Sequence, residues 1–334
     1  MTTHLYTIIL AAGEGTRVRN LTRNADGVCV PKQFSVVDGH RTMLHWALSR
    51  ATRLVPKERV VVVVASEHER WWRQDLAGLP PENIVIQPRN RGTAAGLLLP
   101  FLEVLQRDPQ AQVLVLPSDH HVENEETLQL AILEALTAVH LGRSRVVLLG
   151  AFPQEADTEY GWIVPLAPRE HVSPRLAEAE MIRKALEEKG QLLYCQPIDR
   201  IRGVATFAEK PDKETARTLM DRGAVLNTFI LVAAGRSLLH LYTRRLPGLL
   251  GEILTWRDKA RVPERELEQL YQSLPNHDFS RDVLSPSCAE LSVLPVANCG
   301  WSDLGTPDRL RLFHRQQASA SIALPSNSLS LSHG

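Results

Sequence analysis

The chain has 334 residues, of which 44% are hydrophobic and 23% are charged, the composition of an ordinary folded protein with one or two domains. Lysine plus arginine and aspartate plus glutamate number 38 each, so the formal net charge is zero. A neutral chain argues against a protein that coats nucleic acid or an anionic membrane. The four cysteines form no Cys-x-x-Cys pair, which argues against a zinc knuckle and against a secreted disulfide framework.

No apolar run approaches the roughly 18–20 residues that a membrane span needs. The apolar start, Leu5 to Ala12, has no basic region before it and leads directly into a glycine turn. It is therefore predicted to be a first strand and not a signal peptide. We expect a cytoplasmic protein with neither a membrane nor a nucleic acid as partner.

Strands and helices alternate through the first half of the chain. Apolar runs predict strands over Leu5–Leu10, Val60–Val64, Ile84–Ile86, Val113–Leu116 and Val146–Leu149, and helical spacing predicts helices over Thr42–Leu54, Thr93–Leu105 and Glu126–Val139. Five consecutive valines fit a strand that is covered on both faces. The repeated β-α units predict an α/β fold with a doubly wound, mostly parallel (mixed) sheet.

The second half is less regular. Strands are predicted over Ile163–Pro165, Val204–Ala208, Thr228–Val232 and Glu290–Val296, and a late helix over Thr306–Arg315. One domain is expected over residues 1–315, with halves 1–150 and 151–315 and an insertion near 167–200. Within the insertion, the charged stretch Arg175–Lys189 fits a lid, a dimer contact or a solvated surface helix. Residues 316–334 are serine-rich and uncharged apart from His333, which predicts a disordered tail.

A glycine loop, Ala11-Ala12-Gly13-Glu14-Gly15-Thr16-Arg17, follows the first strand. Two glycines let a backbone approach a ligand closely, and such a loop suits phosphate. The loop has neither the third glycine of the Rossmann fingerprint nor the Gly-Lys-Ser/Thr ending of a Walker A loop. By itself it fits a tight turn equally well. Arg17, Arg19, Arg23 and Lys32 follow, as cations for a triphosphate or as a solvated basic loop.

The fourth strand ends in Ser118-Asp119-His120-His121. Ligands of an open parallel sheet bind outside the carboxyl ends of its strands, so Asp119 is placed to hold Mg²⁺, which prefers oxygen ligands. The alternative is a helix cap. Two adjacent histidines in a strand point in opposite directions, which argues against a shared zinc ion.

Other segments carry weaker local signals. Gln87–Ala95 fits a βα loop with Thr93 as a cap, Tyr160–Ile163 fits a strand start with a core aromatic, and Glu209-Lys210 ends a strand with an acceptor for hydroxyls and a cation for phosphate. Asp303, within Gly300–Thr306, fits an N-cap or a turn before the late helix.

Taken together, these motifs resemble the signature of the sugar-phosphate nucleotidyltransferases. Gly13-x-Gly15-Thr16-Arg17 with Pro31-Lys32-Gln33-Phe34 is similar to the mannose-1-phosphate guanylyltransferase branch. The resemblance implies a Rossmann-like (GT-A-like) fold with a nucleotide-binding first half and a sugar-phosphate-binding second half. It also implies transfer of a nucleotidyl group from an NTP to a hexose 1-phosphate. The branch it resembles makes GTP and mannose 1-phosphate the expected substrates. The products would be an NDP-sugar (GDP-mannose) and pyrophosphate.

The resemblance also assigns residues. Nucleotide binding falls to Ala11, Ala12, Gly13, Gly15, Thr16, Arg17, Gln87, Arg91, Gly92, Thr93 and Ser118, and sugar-phosphate binding to Gly161, Trp162, Glu209, Lys210 and Asn227. Mg²⁺ is expected on Asp119 and Asp303, and the catalytic set is Arg17, Lys32, Asp119, Lys210 and Asp303. The sequence departs from the family pattern at Asn90, Gly92, Trp162, Leu226 and Phe229.

Two alternatives remain at this point. One is the same chemistry with another base or sugar, such as glucose 1-phosphate. The other is a non-catalytic, sugar-nucleotide-binding regulatory protein on the same fold, although a sensor would not need all of Lys32, Asp119, Lys210 and Asp303. No cupin pattern follows the late helix, so the isomerase activity that is fused in some relatives is not expected. The sequence leaves a homo-oligomer open.

Overall fold

The computed structural model describes residues 4–18, 20–23, 27–36, 39–167, 200–258 and 264–322. In this part of the chain one sheet of nine strands has the order β3-β2-β1-β4-β8-β5-β9-β7-β6. The strands are β1 Leu5–Ala11, β2 Val60–Ala65, β3 Ile84–Gln87, β4 Gln112–Pro117, β5 Val146–Ala151, β6 Gly161–Pro165, β7 Arg202–Glu209, β8 Val225–Ala234 and β9 Ser292–Val296. Strands from both predicted halves thus share the sheet.

Helices cover both faces of the sheet. The α-helices described are α1 Met43–Thr52, α2 Glu69–Asp75, α3 Gly92–Arg107, α4 Glu125–His140, α5 Lys213–Asp221, α6 Gly235–Arg245, α7 Pro247–Asp258, α8 Glu264–Ser273 and α9 Pro307–Ile322. No helix in the described ranges combines the length and the hydrophobicity that crossing a membrane requires.

Alternate residues of the central strands enter two separate cores. Ile8 and Val61 face a core shared with α3, α6 and α7, whereas Ile9 and Val62 face a core shared with α1 and α4. Every residue of β2 is buried as a result, which confirms that the valine run is a strand covered on both faces.

The sheet is parallel from β3 through β2 and β1 to β4, and the predicted α/β fold is confirmed. It becomes mixed where β8 lies between β4 and β5 and runs antiparallel to both. Antiparallel pairs are therefore more frequent than the predicted mostly parallel sheet implies. Chain order indicates the strands, but it does not show that β8 pairs with two strands far from it in sequence.

The last helix is longer than predicted. It continues past Arg315 to Ile322, so residues 316–322 are helical and the prediction of disorder from Gln316 onward is wrong for them. Serine and alanine are compatible with a helix even without charged neighbours. Residues 323–334 and the Arg175–Lys189 stretch lie outside the described residues.

Candidate active site

One edge of the sheet gathers the predicted site. The carboxyl ends of β1, β4 and β9 lie there, together with the amino end of β8, because β8 is antiparallel to β4. Ligands of α/β sheets bind at such an edge.

The glycine loop is held in place by Gln33, whose amide donates to the carbonyl oxygens of Ala11 at 2.9 Å and Gly13 at 2.8 Å. Gly15 has a φ of +60°, and a Cβ there would lie 3.1 Å from the Lys32 Cβ. A side chain at this position would be strained and crowded. The loop and the Pro31–Phe34 segment therefore form one unit, with the predicted phosphate-binding backbone against Lys32.

Lys32 brings the two predicted metal ligands together. Its side chain is only 4% exposed, and its Nζ donates to Asp119 Oδ2 at 2.7 Å and to the backbone oxygen of Asp303. These three residues come from distant parts of the chain. The structure thus places a cation between two carboxylate-bearing loops beside the glycine loop.

Hydrogen bonds join the two carboxylate loops directly. His121 and Ser302 exchange backbone hydrogen bonds, and Trp301 Nε1 donates to His120 Nδ1 at 3.1 Å. An indole can only donate, so the proton of the imidazole lies on Nε2. Burial lowers the pKa of His120 to about 4, against the opposing effect of Asp119 and Asp303. His120 is therefore neutral at neutral pH, and it links the two carboxylate loops through its hydrogen bond with Trp301.

Asp303 is the most constrained carboxylate of the site. Its Oδ1 accepts from the Tyr160 hydroxyl at 2.9 Å, from Arg309 Nη1 at 2.6 Å and from the Gly305 N–H at 2.9 Å. Burial by itself would raise the pKa of Asp303, but Lys32 and Arg309 lower it to about 2. Asp303 is therefore ionised at neutral pH.

This pKa shift makes stability depend on pH. Because the folded-state pKa lies below the ordinary 3.8, the ionised carboxylate stabilises the fold above pH 3.8, and this contribution disappears as pH falls through 2. We expect Asp303→Asn to lower the free energy of unfolding at pH 7 by about 2 kcal/mol. The difference from the wild type should shrink towards pH 2 in urea titrations. Asp308→Asn, on the exposed side of α9, is the matched control; a deficit at Asp303 that is constant with pH would contradict the expectation.

The predicted sugar-phosphate residues form a second cluster. Gly161 pairs with Glu209 across β6 and β7, and a Cβ at Gly161 would lie 2.6 Å from Glu209 Oε2 and 3.3 Å from the Asn227 Cβ. Lys210 donates to Glu209 through Nζ and to the Tyr160 carbonyl through its backbone at 3.2 Å. Burial raises the pKa of Glu209, and Lys210 opposes this rise. Gly161, Glu209, Lys210 and Asn227 thus lie together, and their binding of a sugar phosphate stays a prediction.

Trp162 is the exception in this cluster. Its side chain is fully buried, and its indole N–H donates to the Asp157 carbonyl at 2.8 Å. The prediction of a sugar contact by this side chain is therefore corrected: β6 pairs with both β7 and β8, and the Trp162 side chain packs into the core with Leu226 and α5.

The segment from Gln87 to Thr93, which carries four of the predicted nucleotide-binding residues, lies beside the glycine loop, since Asn90 Nδ2 donates to Glu14 Oε1 at 3.1 Å. Its Arg91 donates instead to the carbonyls of Tyr271 and Gln272, the latter at 2.8 Å. These bonds hold the guanidinium against the last turn of α8, and the predicted contact of Arg91 with a nucleotide stays a prediction.

The next two residues pack against residues 276–279. A Cβ at Gly92 would lie 2.2 Å from the His277 oxygen, and the Thr93 hydroxyl accepts from the Phe279 N–H at 2.7 Å.

Gln87 and Ser118 are both buried, and Gln87 Oε1 has no hydrogen-bond partner among the described residues. Gln87 is thus the member of this segment with an acceptor left to satisfy.

Arg17, at the end of the glycine loop, forms an ion pair with Glu159. Both side chains are about half exposed, and such pairs contribute only ~0.2–1 kcal/mol. If Arg17 binds nucleotide phosphates, Glu159 competes with them. We expect Glu159→Gln to lower KM for the nucleotide by ~1.4- to 5-fold without changing kcat, measured in steady-state kinetics. Glu155→Gln, nearby and exposed, is the control, and an increase in KM would contradict the competition.

The donor set of the two carboxylate loops fits a hard divalent cation. It offers carboxylate oxygens from Asp119 and Asp303, and the hydrogen bonds described for the Asp303 carboxylate all end on Oδ1, which leaves Oδ2 for a metal. No group of three or more potential ligands is found among the described residues. Two protein carboxylates are nevertheless the usual complement for Mg²⁺, which keeps waters and binds substrate phosphates.

Strained backbone marks the same region. In the described residues, left-handed φ outside glycine occurs at Lys210 (47°), Phe229 (58°) and Leu304 (45°). Each is a predicted site residue or lies within two residues of Asn227 or Asp303. Such strain persists where surrounding structure enforces it and clusters at functional sites.

Several residues of the site were not predicted. Gln33 and Tyr160 stand inside quoted motifs, next to residues that were assigned, so proximity to them was the available signal. Glu159 and Arg309 carry no local signal, because their partners Arg17 and Asp303 become neighbours only in the fold.

A family model described as Nucleotidyl transferase matches residues 6–189, more than half of the chain. The chain belongs to the nucleotidyl transferase family. Mannose-1-phosphate guanylyltransferase of Escherichia coli (strain K12) is 29% identical over 315 residues, which cover 90% of this chain and 58% of that protein. Mannose-1-phosphate guanylyltransferase ManC of Salmonella typhimurium is 28% identical over 317 residues, covering 91% and 58%.

The chain thus spans less than two thirds of the length of these curated relatives. Among solved structures, one described as mannose-1-phosphate geranyltransferase from Thermus thermophilus superimposes with a TM-score of 0.71 at 26% identity, covering 91% of this chain and 77% of that one. The predicted membership of the family and the predicted GT-A-like fold are confirmed.

Proposed function

We propose that the chain transfers a nucleotidyl group from an NTP to a hexose 1-phosphate, with GTP and mannose 1-phosphate as the substrates, giving GDP-mannose and pyrophosphate. The observation that carries the proposal is the contact of Lys32 with both Asp119 and Asp303 beside the glycine loop. The names of the relatives support the choice of GTP and mannose 1-phosphate.

The reaction joins two anions, so repulsion and alignment are the difficulty. A phosphate oxygen of the hexose 1-phosphate attacks the α-phosphorus in line. The P–O bond to the β-phosphate breaks, and pyrophosphate leaves with the electron pair. The attacking oxygen is already ionised, so no general base is required. Positioning and electrostatic stabilisation then supply the rate enhancement.

Each part of the site has a role in that step. The glycine loop binds the phosphates of the nucleotide through backbone N–H groups, and Arg17 and Lys32 stabilise the charge that moves onto pyrophosphate. Glu209 accepts from sugar hydroxyls, and Lys210 holds the attacking phosphate. Asp119 and Asp303 would hold Mg²⁺, which when bound supplies positive charge to offset the repulsion between the substrates.

The test is pyrophosphate release with Mg²⁺, in which GTP, ATP, UTP, CTP and dTTP are each combined with mannose, glucose and other hexose 1-phosphates. We expect release with GTP and mannose 1-phosphate well above all other pairs. Release with a different pair would overturn the substrate assignment and keep the chemistry. Nucleotide binding without release from any pair would favour the regulatory protein.

A further inference from the structure

We propose that Arg309, on α9, is a positioning residue that fixes the carboxylate of Asp303 so that its second oxygen faces a divalent cation. The inference deepens the proposed function, because it rests on Asp303 as a metal ligand. Nothing in the glycine loop or the strand-end motifs indicates such a role for a residue of the last helix.

The guanidinium of Arg309 is held on three sides. Nη1 donates to Asp303 Oδ1 at 2.6 Å, Nη2 donates to Asp157 Oδ2 at 2.5 Å, and Cζ lies 4.1 Å from the centre of the Tyr160 ring. The side chains of Arg309, Asp157 and Asp303 are each less than a fifth exposed. Salt and solvent screen an ion pair at this burial less than one on the surface. The attraction between Arg309 and the two carboxylates therefore holds the guanidinium in place.

The helix that carries Arg309 is fixed independently of this ion pair. Leu310 and Phe313 are buried together with Val18 and Met43. Val18 directly follows the glycine loop. The centres of the Phe313 and His121 rings are also 4.5 Å apart, and His121 lies two residues after Asp119. Therefore α9 contacts the glycine loop and both carboxylate loops, and Arg309 projects from a rigid support.

The consequence concerns the two oxygens of Asp303. Oδ1 receives three donors, from Tyr160, Arg309 and Gly305, so it is saturated and the carboxylate has one preferred rotation. That rotation leaves Oδ2 for a metal. Groups that orient a metal ligand in this way typically change metal affinity or activity by ~10- to 100-fold when they are removed. Charge alone predicts the opposite effect, because the positive charge of Arg309 repels a cation and its removal would then strengthen metal binding. Whether metal affinity falls or rises on removal of Arg309 therefore decides between orientation and repulsion.

Mn²⁺ binding gives a readout that does not depend on turnover. The full chain is titrated with Mn²⁺, and free Mn²⁺ is followed by electron paramagnetic resonance, for the wild type, Arg309→Ala, Arg309→Lys and Arg311→Ala. We expect Arg309→Ala to weaken Mn²⁺ binding ~10- to 100-fold and to raise the Mg²⁺ half-saturation of pyrophosphate release, with little change in KM for the hexose 1-phosphate. Arg309→Lys should recover part of the lost Mn²⁺ affinity. An ammonium can pair with one carboxylate, whereas the forked guanidinium pairs with both Asp303 and Asp157. Arg311, exposed on the same helix and paired with Asp308, should be neutral.

Tyr160→Phe covers the case in which Arg309→Ala fails to fold, because it removes one donor to Oδ1 and keeps the ring beneath the guanidinium. It should weaken Mn²⁺ binding in the same direction by a smaller factor. Equal or tighter Mn²⁺ binding by a folded Arg309→Ala chain, or no Mn²⁺ binding by the wild type, would overturn the inference. The expected Mn²⁺ pattern without pyrophosphate release from any substrate pair would support the role of Arg309 and reject the proposed function alone.

Discussion

Asp119→Asn should reduce kcat by ~10²-fold or more at saturating Mg²⁺, because a lost carboxylate ligand removes several kcal/mol of charge stabilisation from the transition state. Asparagine keeps an oxygen that can accept from the buried Lys32, which lies 2.7 Å from Asp119 Oδ2. The fold should therefore survive, whereas Asp119→Ala would leave the ammonium without this partner. Steady-state kinetics together with a thermal unfolding curve separates loss of turnover from loss of structure.

The matched control for Asp119 is Asp221→Asn, an exposed carboxylate at the end of α5. It carries the same change of charge at an exposed position outside the predicted site residues and should keep wild-type kinetics. Near-normal turnover of folded Asp119→Asn with Mg²⁺ would mean that Asp119 is a capping or structural residue.

Lys210→Ala should act mainly on the sugar phosphate. A hydrogen bond to a charged group contributes ~1.5–3 kcal/mol, so KM for the hexose 1-phosphate should rise ~10- to 100-fold while KM for the nucleotide stays unchanged. Lys210→Arg should recover part of the affinity, since the charge returns at a residue whose backbone is already held at a φ of 47°. Initial rates over both substrate concentrations measure the two KM values separately.

Lys213→Ala is the control for Lys210, because Lys213 is an exposed lysine in the first turn of α5, three residues further along. It should leave both KM values unchanged. A rise in KM for the nucleotide in Lys210→Ala, with none for the sugar phosphate, would place this lysine on the wrong substrate.

Local sequence signals predicted the buried strands and the polar residues that follow them. The valine run of β2 and the polar residues at strand ends need only periodicity and the rule that ligands bind at carboxyl ends. Helix α5 was missed although its sequence carries a signal, since the Asp212 side chain caps it and Ala216 and Leu219 lie on its buried face. The position of β8 between β4 and β5 depends on long-range pairing, which the order of elements does not contain.

The same distinction applies within the site. Lys32, Asp119, Asp303, Gly161, Glu209 and Lys210 lie in motifs and were predicted from them. Arg91 matches its motif, yet its guanidinium binds the last turn of α8, a helix that was not predicted. Trp162 is buried by the strands that pair on either side of β6. Arg309 and Glu159 acquire their partners only when the chain folds, and for that reason no spacing rule indicates them.

Nucleotidyl transfer requires that the α-phosphorus of the nucleotide passes to the sugar phosphate. The direct measurement uses the full chain with Mg²⁺, mannose 1-phosphate and GTP that is labelled at either the α- or the γ-phosphate. We predict that the α-label appears in the NDP-sugar and the γ-label in pyrophosphate, in equal amounts. Transfer of the γ-label to the sugar, or release of the α-label only as a free nucleotide, would contradict nucleotidyl transfer.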